Sequence, residues 1–358
     1  MPWAPRCAAS SRATPRTAST SRSTACAGTC RSSRSPSPRR AAVASTRSRA
    51  PTCRWSSSST RTRGAAWTWR CRDSSPDPRR GPRRRRARRA RAGVRAAPRS
   101  ADVLLATWNV NSLKARLPRV TEWVADVRPD VLCMQETKMK DAAFPALAFE
   151  EMGYATAHFG QGQWNGVAIA SRVGLEDVRV NFADGIEPDA EARIVTATCG
   201  GARVVCVYVP NGRALDHDHY RYKLSWMARL RDHVAALGGA GDDVVVTGDF
   251  NIAPSDADVW DPAALEGATH VSAPEREALG ALMGWGLRDV VREMHPEPGI
   301  YSWWDYRNGS FHRGWGMRID LVLASASMAA RATWSGVDRN ARKGEQPSDH
   351  APVLVDFA

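Results

Sequence analysis

An apolar strand runs directly into polar residues in the stretch Val244-Val245-Val246-Thr247-Gly248-Asp249-Phe250-Asn251. In extended backbone, positions i and i+2 share one face, so Asp249 and Asn251 are expected to point the same way. Polar side chains at the end of a strand are held by a rigid sheet yet remain accessible, and catalytic groups are commonly placed there. The stretch therefore predicts a sheet whose edge carries a functional site.

Similar strand-like runs recur along the rest of the chain, and helical patterns alternate with them. The runs are Val103 to Val110, Val131 to Gln135, Gly166 to Ala170, Ile194 to Thr198, Val204 to Val209, Ile319 to Leu323 and Val353 to Phe357. Apolar residues have helical spacing over Arg116 to Val127 and Tyr220 to Leu237. This mixture predicts an α/β layered domain.

Polar residues stand at the ends of several other runs. Asn109 ends the first strand, and Glu136 follows the second. Asp320 is embedded in an apolar run, where an unpaired charge is costly, so it needs a partner. His350, which follows Asp349, can accept that role through one ring nitrogen and leave the other nitrogen for substrate.

The collected set is rich in oxygen: it comprises Asn109, Glu136, Asp249, Asn251, Asp320, Asp349 and His350. Such groups suit a hard cation such as Mg²⁺, with Mn²⁺ as an alternative. Zinc is disfavoured, because the set contains one histidine and no cysteine. The sequence therefore predicts a magnesium site.

Seven motifs in order, WNVN, QETK, VYVPNG, GDFN, SWWDYR, RIDLVLAS and SDHAPV, resemble the exonuclease III class of abasic-site endonucleases. That class lies within the metal-dependent endonuclease/exonuclease/phosphatase group. The resemblance runs from about Val103 to Phe357. It implies a four-layer α/β sandwich, in which two packed mixed β-sheets are flanked by helices and the site lies at one edge.

The resemblance also implies roles for individual residues. Glu136 is the principal Mg²⁺ ligand, and the other implied ligands are Asn109, Asp249, Asn251 and Asp349. Asp249 orients or deprotonates water, Asn251 contacts the phosphate, and Asp320 pairs with His350. Tyr208 lies against the phosphate with help from Asn211. Which of these groups is the general base stays open.

An aromatic stretch precedes Asp320, and in the family this region walls a pocket for a flipped-out abasic sugar. Trp304, Trp315 and Met317 are the candidates for that wall, with the alternative that Trp303 or Trp304 belongs to the core. The expected partner is double-stranded DNA with abasic sites or blocked 3′ ends. The expected reaction is cleavage 5′ to the abasic site, with 3′-5′ exonuclease action and 3′-end trimming.

Net charge divides the chain into two regions. Residues 1–100 contain 26 arginines and two acidic residues, whereas residues 101–358 contain 25 basic and 35 acidic residues. The first region is an Arg/Ser/Ala/Pro-rich segment with almost nothing to bury, so disorder is expected, and translation in the wrong frame from a mis-assigned start is the favoured explanation. A transit peptide and a nucleic-acid-binding tail at Arg83 to Arg91 remain alternatives.

The sequence leaves two other functions open and also predicts where the protein acts. The same fold acting on inositol phosphates or sphingomyelin is one alternative, and a binding protein acting through its Arg-rich tail is another. Cys133, Cys199 and Cys206 lie in apolar runs, which favours free thiols in a reducing compartment. Without a span of about 20 apolar residues, we expect a soluble, cytoplasmic monomer that works at the nucleoid.

Overall fold

The computed structural model describes residues 102–182, 184–239 and 241–358. These residues form two six-stranded mixed sheets with helices on their outer faces, which is the four-layer α/β sandwich expected from the sequence. The expectations for residues 1–100 lie outside the described residues.

The strands are β1 (Val103–Asn109), β2 (Val131–Gln135), β3 (Ala155–Phe159), β4 (Val167–Ser171), β5 (Glu176–Val180), β6 (Ile194–Cys199), β7 (Ala202–Tyr208), β8 (Val244–Asp249), β9 (Leu287–Asp289), β10 (Trp303–Trp304), β11 (Gly316–Met317), β12 (Asp320–Ser325), β13 (Ala332–Val337) and β14 (Val353–Phe357). The helices are α1 (Leu113–Val127), α2 (Ala146–Glu150), α3 (Asp218–Ala236), α4 (Ala273–Met283), α5 (Val290–Met294), α6 (Ser310–Arg313) and α7 (Ala326–Ala329).

The first sheet has the strand order β13-β14-β1-β2-β4-β3, and the second has the order β5-β6-β7-β8-β12-β9. Strands β10 and β11 form a separate two-stranded ribbon. Each predicted run coincides with a strand to within two residues. The strands at the sheet edges, such as β5, were not predicted. All five residues of β5 are exposed, and an edge strand is defined by pairing with its neighbour more than by its own pattern.

Alternation along the central strands divides the core into layers. Val245 of β8 and Val322 of β12 point into the space between the sheets, whereas Val244, Val246 and Leu321 point outward against helices α3 and α4. Because side chains alternate with period two, the inward row continues from Val245 to the ends of the strands. The polar residues of the predicted site therefore extend the interior of the sandwich at one edge.

The pairing of the strands brings their polar ends together at one edge of the sandwich. β1 runs parallel to β2 and β7 parallel to β8, so the carboxyl ends of these four strands meet. β12 and β14 run antiparallel to their neighbours and start at the same edge. In the second sheet, Tyr208 pairs with Asp249, and Asp249 pairs with Asp320. Three polar residues thus occupy one level of the sheet.

Gly248 permits the approach of β7 to β8. Its φ is +146°, and a Cβ added there would lie 1.9 Å from the carbonyl oxygen of Val207. No other residue type fits this position without moving the backbone. Gly248 therefore fixes the strand that delivers Asp249.

Two predictions about composition can be compared with the structure directly. The three cysteines of the described residues, Cys133, Cys199 and Cys206, are free and buried. No helix within 102–182, 184–239 and 241–358 is long and apolar enough to cross a membrane.

Candidate active site

A buried imidazole lies between two carboxylates at the gathered edge. His350 Nδ1 lies 2.8 Å from Asp320 Oδ2, and His350 Nε2 lies 3.7 Å from Asp249 Oδ2. Asp320 begins β12, and His350 precedes β14, so the contact joins the two sheets. The structure thus brings together the pair that the sequence predicted and places Asp249 on the other side of the ring.

Asp249 and His350 each change the pKa of the other, and Asp320 changes the pKa of both. Burial raises the pKa of Asp249, His350 opposes this shift and Asp320 adds to it, and the resulting pKa is about 7. Burial lowers the pKa of His350, but Asp320 and Asp249 outweigh this effect and raise the pKa to about 10. At neutral pH His350 is therefore an imidazolium, and Asp249 is poised to exchange a proton.

Asn109 holds two carboxylates at the end of β1. Its Nδ2 donates to Glu136 Oε1 and to Asp249 Oδ2, each at 2.9 Å, and its Oδ1 accepts from the backbone N–H of Asn111. The role of Asn109 as an oxygen ligand stays a prediction, and in this arrangement its oxygen accepts from the backbone while its nitrogen faces the carboxylates. Asn109 instead joins Glu136 and Asp249 as a shared donor.

Asp349 is held on the opposite side by two residues. Asn111 Nδ2 donates to Asp349 Oδ1 at 2.9 Å, and the Trp303 indole N–H donates to Oδ2 at 3.1 Å. Asn111 also accepts from Lys138 Nζ at 2.6 Å, and Lys138 Nζ lies 2.8 Å from Glu136 Oε2. Glu136 and Asp349 are therefore connected through one amide and one ammonium.

Asn251 turns into the site beyond β8. Its φ is +51°, so the backbone is not extended at this residue. Asn251 lies beside Asp249 as expected, but the expected cause, extended backbone that puts both on one face, is wrong. The Asn251 N–H instead donates to Asp249 Oδ1 at 2.9 Å. Asn251 Oδ1 accepts from Asn211 Nδ2 at 3.2 Å, and His270 Nε2 lies 3.1 Å from both atoms.

Tyr208 lies in the same level as Asp249. The Arg193 guanidinium lies over the Tyr208 ring, 4.6 Å from its centroid. Burial and the nearby Glu136 carboxylate raise the pKa of Tyr208 well above its usual value. Tyr208 therefore keeps its hydroxyl proton at neutral pH and can act as a hydrogen-bond donor.

The predicted aromatic wall is only partly accessible. Trp304 is fully buried and Met317 is 6% exposed, so Trp304 is corrected from a DNA-contacting residue to a core residue. Consecutive residues of a strand face opposite sides, and Trp303 is the one that faces Asp349. Trp315 stacks on Trp260, with ring centroids 4.8 Å apart.

The donor set fits a hard divalent cation. The carboxylate oxygens of Asp249 and Asp320 lie within 4.8 Å of each other, and Asp320 Oδ1 has no hydrogen-bond partner among the described residues, whereas the protonated His350 ring offers no ligand atom. Glu136 adds a carboxylate beside Asp249. Carboxylate oxygens in this number suit Mg²⁺ or Mn²⁺, and the single histidine disfavours zinc.

Three residues of the site, Asn111, Trp303 and His270, were not assigned from the sequence, and Lys138 was expected only as a basic residue next to the site. Asn111 and Lys138 were visible inside WNVN and QETK, but nothing in the sequence shows that they connect Glu136 to Asp349. Trp303 was passed over because the sequence does not show which tryptophan faces inward. His270 lies in a loop with no motif, at φ +79°, and no signal in the sequence could have found it.

Fold and site together define an enzyme that acts on phosphate esters. The model of the endonuclease/exonuclease/phosphatase family matches residues 106–350, and the chain belongs to that family. Exodeoxyribonuclease III of Haemophilus influenzae is 31% identical over 266 residues, which cover 70% of this chain and 98% of that protein. Within the family, the chain is therefore a nuclease of the exonuclease III type.

Solved structures agree with this placement. A variant of the 3′ phosphatase NExo from Neisseria, bound to a product DNA hairpin, is 42% identical, with a TM-score of 0.68 over 72% of this chain and 99% of that chain. An AP endonuclease from Archaeoglobus fulgidus is 38% identical, with a TM-score of 0.69 over 71% of this chain and 99% of that chain. The relatives act on DNA, and two different reactions are represented among them.

Proposed function

We propose that the protein is a Mg²⁺-dependent phosphoesterase of DNA repair, which clears blocking groups from 3′ ends and cuts on the 5′ side of abasic sites. The observation that carries this proposal is the buried trio of Asp249, His350 and Asp320, bounded by the amides of Asn109 and Asn251. Such a trio supplies a proton acceptor and a cationic donor a few ångströms apart.

Glu136, with Asp249 and Asp349 nearby, would hold the divalent ion, which when bound would supply charge neutralisation at the phosphate and relief of charge on the leaving oxygen. Asp249, whose pKa of about 7 lies near the working pH, accepts the proton of the attacking water. His350, kept cationic by Asp320, donates to a phosphate oxygen through Nε2. Both residues act from fixed positions in the sheet edge.

The remaining donors complete the grip on phosphate. Tyr208 donates through its hydroxyl. The side chains of Asn211 and Asn251 lie on the same side of the site, where Asn211 Nδ2 donates to Asn251 Oδ1 and Asn251 Nδ2 donates to the Val209 carbonyl and to Asp249 Oδ2. His270 lies between these two amides, and burial lowers its pKa to about 4, so the ring is neutral at physiological pH. A neutral imidazole adds no charge that would compete with His350 for the phosphate.

We infer that the reaction at 3′ ends is the faster one. An abasic sugar must enter an apolar pocket, but Val259, Met317 and Ile319 are buried against one another with Trp303 packed beside them. A group at a 3′ end needs no flipped nucleotide and no preformed pocket.

The other proposals concern the setting of the reaction. We propose that the protein acts as a cytoplasmic monomer at the nucleoid, on double-stranded DNA. We also propose that residues 101–358 form the catalytic domain and that residues 1–100, with a composition unlike any domain core, are dispensable for catalysis.

The test compares three duplexes that carry a 3′ phosphate, an internal tetrahydrofuran abasic analogue or no lesion. We expect the full chain to release phosphate fastest, to nick the second duplex 5′ to the analogue more slowly, and to lose both activities in EDTA. Trp315→Ala is expected to slow abasic-site cleavage more than phosphate release, because Trp315 and its neighbour Trp260 present aromatic surface beside the site. Activity below saturation should fall steeply with salt.

Two results would contradict the proposal. Hydrolysis of inositol phosphates or sphingomyelin with all three duplexes intact would move the protein to another branch of the family. Cleavage that persists in EDTA would remove the metal from the reaction. Deleting residues 1–100 is the matched control, because a nucleic-acid-binding tail would take activity with it.

A further inference from the structure

A buried ion pair lies directly beneath the two amides of the site. Lys223 of α3 and Glu275 of α4 are both fully buried, and Lys223 Nζ lies 2.5 Å from Glu275 Oε1. The Lys223 ammonium also donates to the backbone carbonyl of Asn251 at 2.7 Å and to that of Asn211 at 3.3 Å. All three hydrogens of the ammonium are thus directed at Glu275 and at the two residues whose side chains line the site.

Glu275 collects the third loop of the site. Its Oε1 accepts from the Thr269 hydroxyl at 2.8 Å and from the His270 backbone N–H at 3.0 Å. Its Oε2 accepts from the backbone N–H and the hydroxyl of Ser272. The pair therefore connects the loop after β7, the loop after β8 and the loop before α4.

The position of Lys223 in α3 is one that ordinarily takes an apolar residue. Lys223 shares the buried face of the helix with Tyr220, Trp226, Met227 and Leu230. Burial lowers the pKa of Lys223, although Glu275 opposes that shift. Replacing a buried ion pair by apolar residues of similar volume is often neutral or stabilising, so stability alone does not account for the charges.

We propose that Lys223 and Glu275 are positioning residues, which set the orientation of Asn211 and Asn251 toward the phosphate by fixing their backbone carbonyls. The proposal rests on the proposed function, because it concerns the same reaction. Asn251 Nδ2 donates to Asp249 Oδ2 and Asn211 Nδ2 donates to Asn251 Oδ1, so fixed backbone carbonyls keep both side chains in place beside Asp249. A displacement of about 1 Å in such a group can cost on the order of 100-fold in rate.

The test replaces the pair by apolar residues in Lys223→Met with Glu275→Leu. We expect the thermal midpoint of unfolding to be kept or raised, whereas kcat on the best DNA substrate falls by about 10- to 100-fold. KM should change by less than about threefold, because most affinity for DNA comes from contacts along the backbone. Unchanged kcat in the folded double variant would overturn the proposal.

A matched control lies on the same helix. Arg229 of α3 pairs with Asp184, 3.0 Å apart, and neither residue contacts the site loops through any hydrogen bond of the described residues. Arg229→Met with Asp184→Leu is expected to leave kcat unchanged. An equal loss of kcat in both double variants would assign the effect to general loosening of α3 and would also overturn the proposal.

A second readout does not depend on any substrate. In protein labelled with ¹⁵N at asparagine, the side-chain amide signals of Asn211 and Asn251 should shift in the Lys223/Glu275 double variant and stay in place in the control. If the wild-type protein hydrolysed no DNA substrate, the proposed function would fail while this comparison still tested the positioning role. Unmoved signals would overturn it.

Glu275→Gln guards against a double variant that does not fold. The amide keeps the shape of the side chain and one acceptor oxygen but weakens the contact with Lys223. We expect an intermediate loss of about 5- to 10-fold in kcat. A folded Glu275→Gln protein with wild-type kcat and unmoved asparagine signals would contradict the proposal.

Discussion

Two buried charge clusters contain residues that lie two positions apart in the chain, Arg318 and Asp320, and the clusters differ in how completely their charges are paired. Arg318 is fully buried and forms a double hydrogen bond with Asp289 at 2.8 and 3.0 Å and a further one with Asp258 at 2.6 Å. Arg292 also binds Asp258, so two cations meet two anions. Asp320, by contrast, shares His350 with Asp249 and keeps one oxygen without a partner among the described residues.

The difference separates structure from chemistry. The cluster around Arg318, which comprises Arg318, Asp258, Asp289 and Arg292, is neutral, and the Arg318 guanidinium and both carboxylates are hydrogen-bonded, so no proton or ligand is needed to balance its charge. The trio of Asp249, Asp320 and His350 carries two carboxylates for one imidazole, and the pKa values of Asp249 and His350 are both raised. Incomplete pairing, rather than burial, marks the cluster that can bind a cation and exchange a proton.

The largest effect is expected where the incompletely paired trio loses its proton acceptor. Asp249→Asn should lower kcat by about 10³-fold, because an amide cannot accept the proton of the attacking water. Single-turnover cleavage of the preferred duplex measures it. Excess metal should give no rescue, and a variant that regains activity with added Mg²⁺ would place Asp249 among the ligands only.

Breaking the fully paired cluster should cost stability instead. Arg318→Met leaves Asp289 buried without its cation and Asp258 with Arg292 alone, so the free energy of unfolding should fall by about 3–5 kcal/mol. Urea denaturation measures the change. Arg288→Met is the control, since its pair with Glu293 is about half exposed and screened by solvent, and its loss should change the free energy of unfolding far less. Equal losses in the two variants would contradict the distinction.

A smaller effect is expected at the edge of the trio. Glu136→Ala should raise the Mg²⁺ concentration needed for half-maximal activity by about 10- to 100-fold, with partial recovery at high Mg²⁺, as loss of a metal ligand or its immediate support does. Metal titration measures the shift. A loss of kcat that stays constant across the titration would move Glu136 from metal binding to proton transfer.

The smallest effect is the pH dependence of the wild-type enzyme. Below about pH 7 Asp249 becomes protonated, so kcat should fall about tenfold per pH unit, and above about pH 10 it should fall as His350 loses its proton. Because the pKa of His350 is raised from 6.5, its contribution to stability is complete below about pH 6.5 and lost as pH rises through about 10. A flat profile between pH 6 and 8 would exclude Asp249 as the proton acceptor.

Much of the site was predictable because its residues extend local patterns. Asn109 and Asp249 stand at the ends of apolar runs and Asp320 lies within one, and the strands that carry them are found where the runs predict. The order of the seven motifs added the family. The edge strands were missed because their pairing partners, and not their own residues, define them.

The sequence by itself determined the fold class, the central strands and the residue types of the site, because hydrophobic period and strand-end polarity are local properties of the chain. Only the tertiary structure decided which partners these residues take. Because neighbouring residues of a strand face opposite sides, Trp304 is buried and Trp303 faces Asp349. A loop without a motif places His270 between the side-chain amides of Asn211 and Asn251. Lys223 shows the same limit, since in sequence it is one cation on a helix, and only the packing of α3 on α4 places it under Asn211 and Asn251.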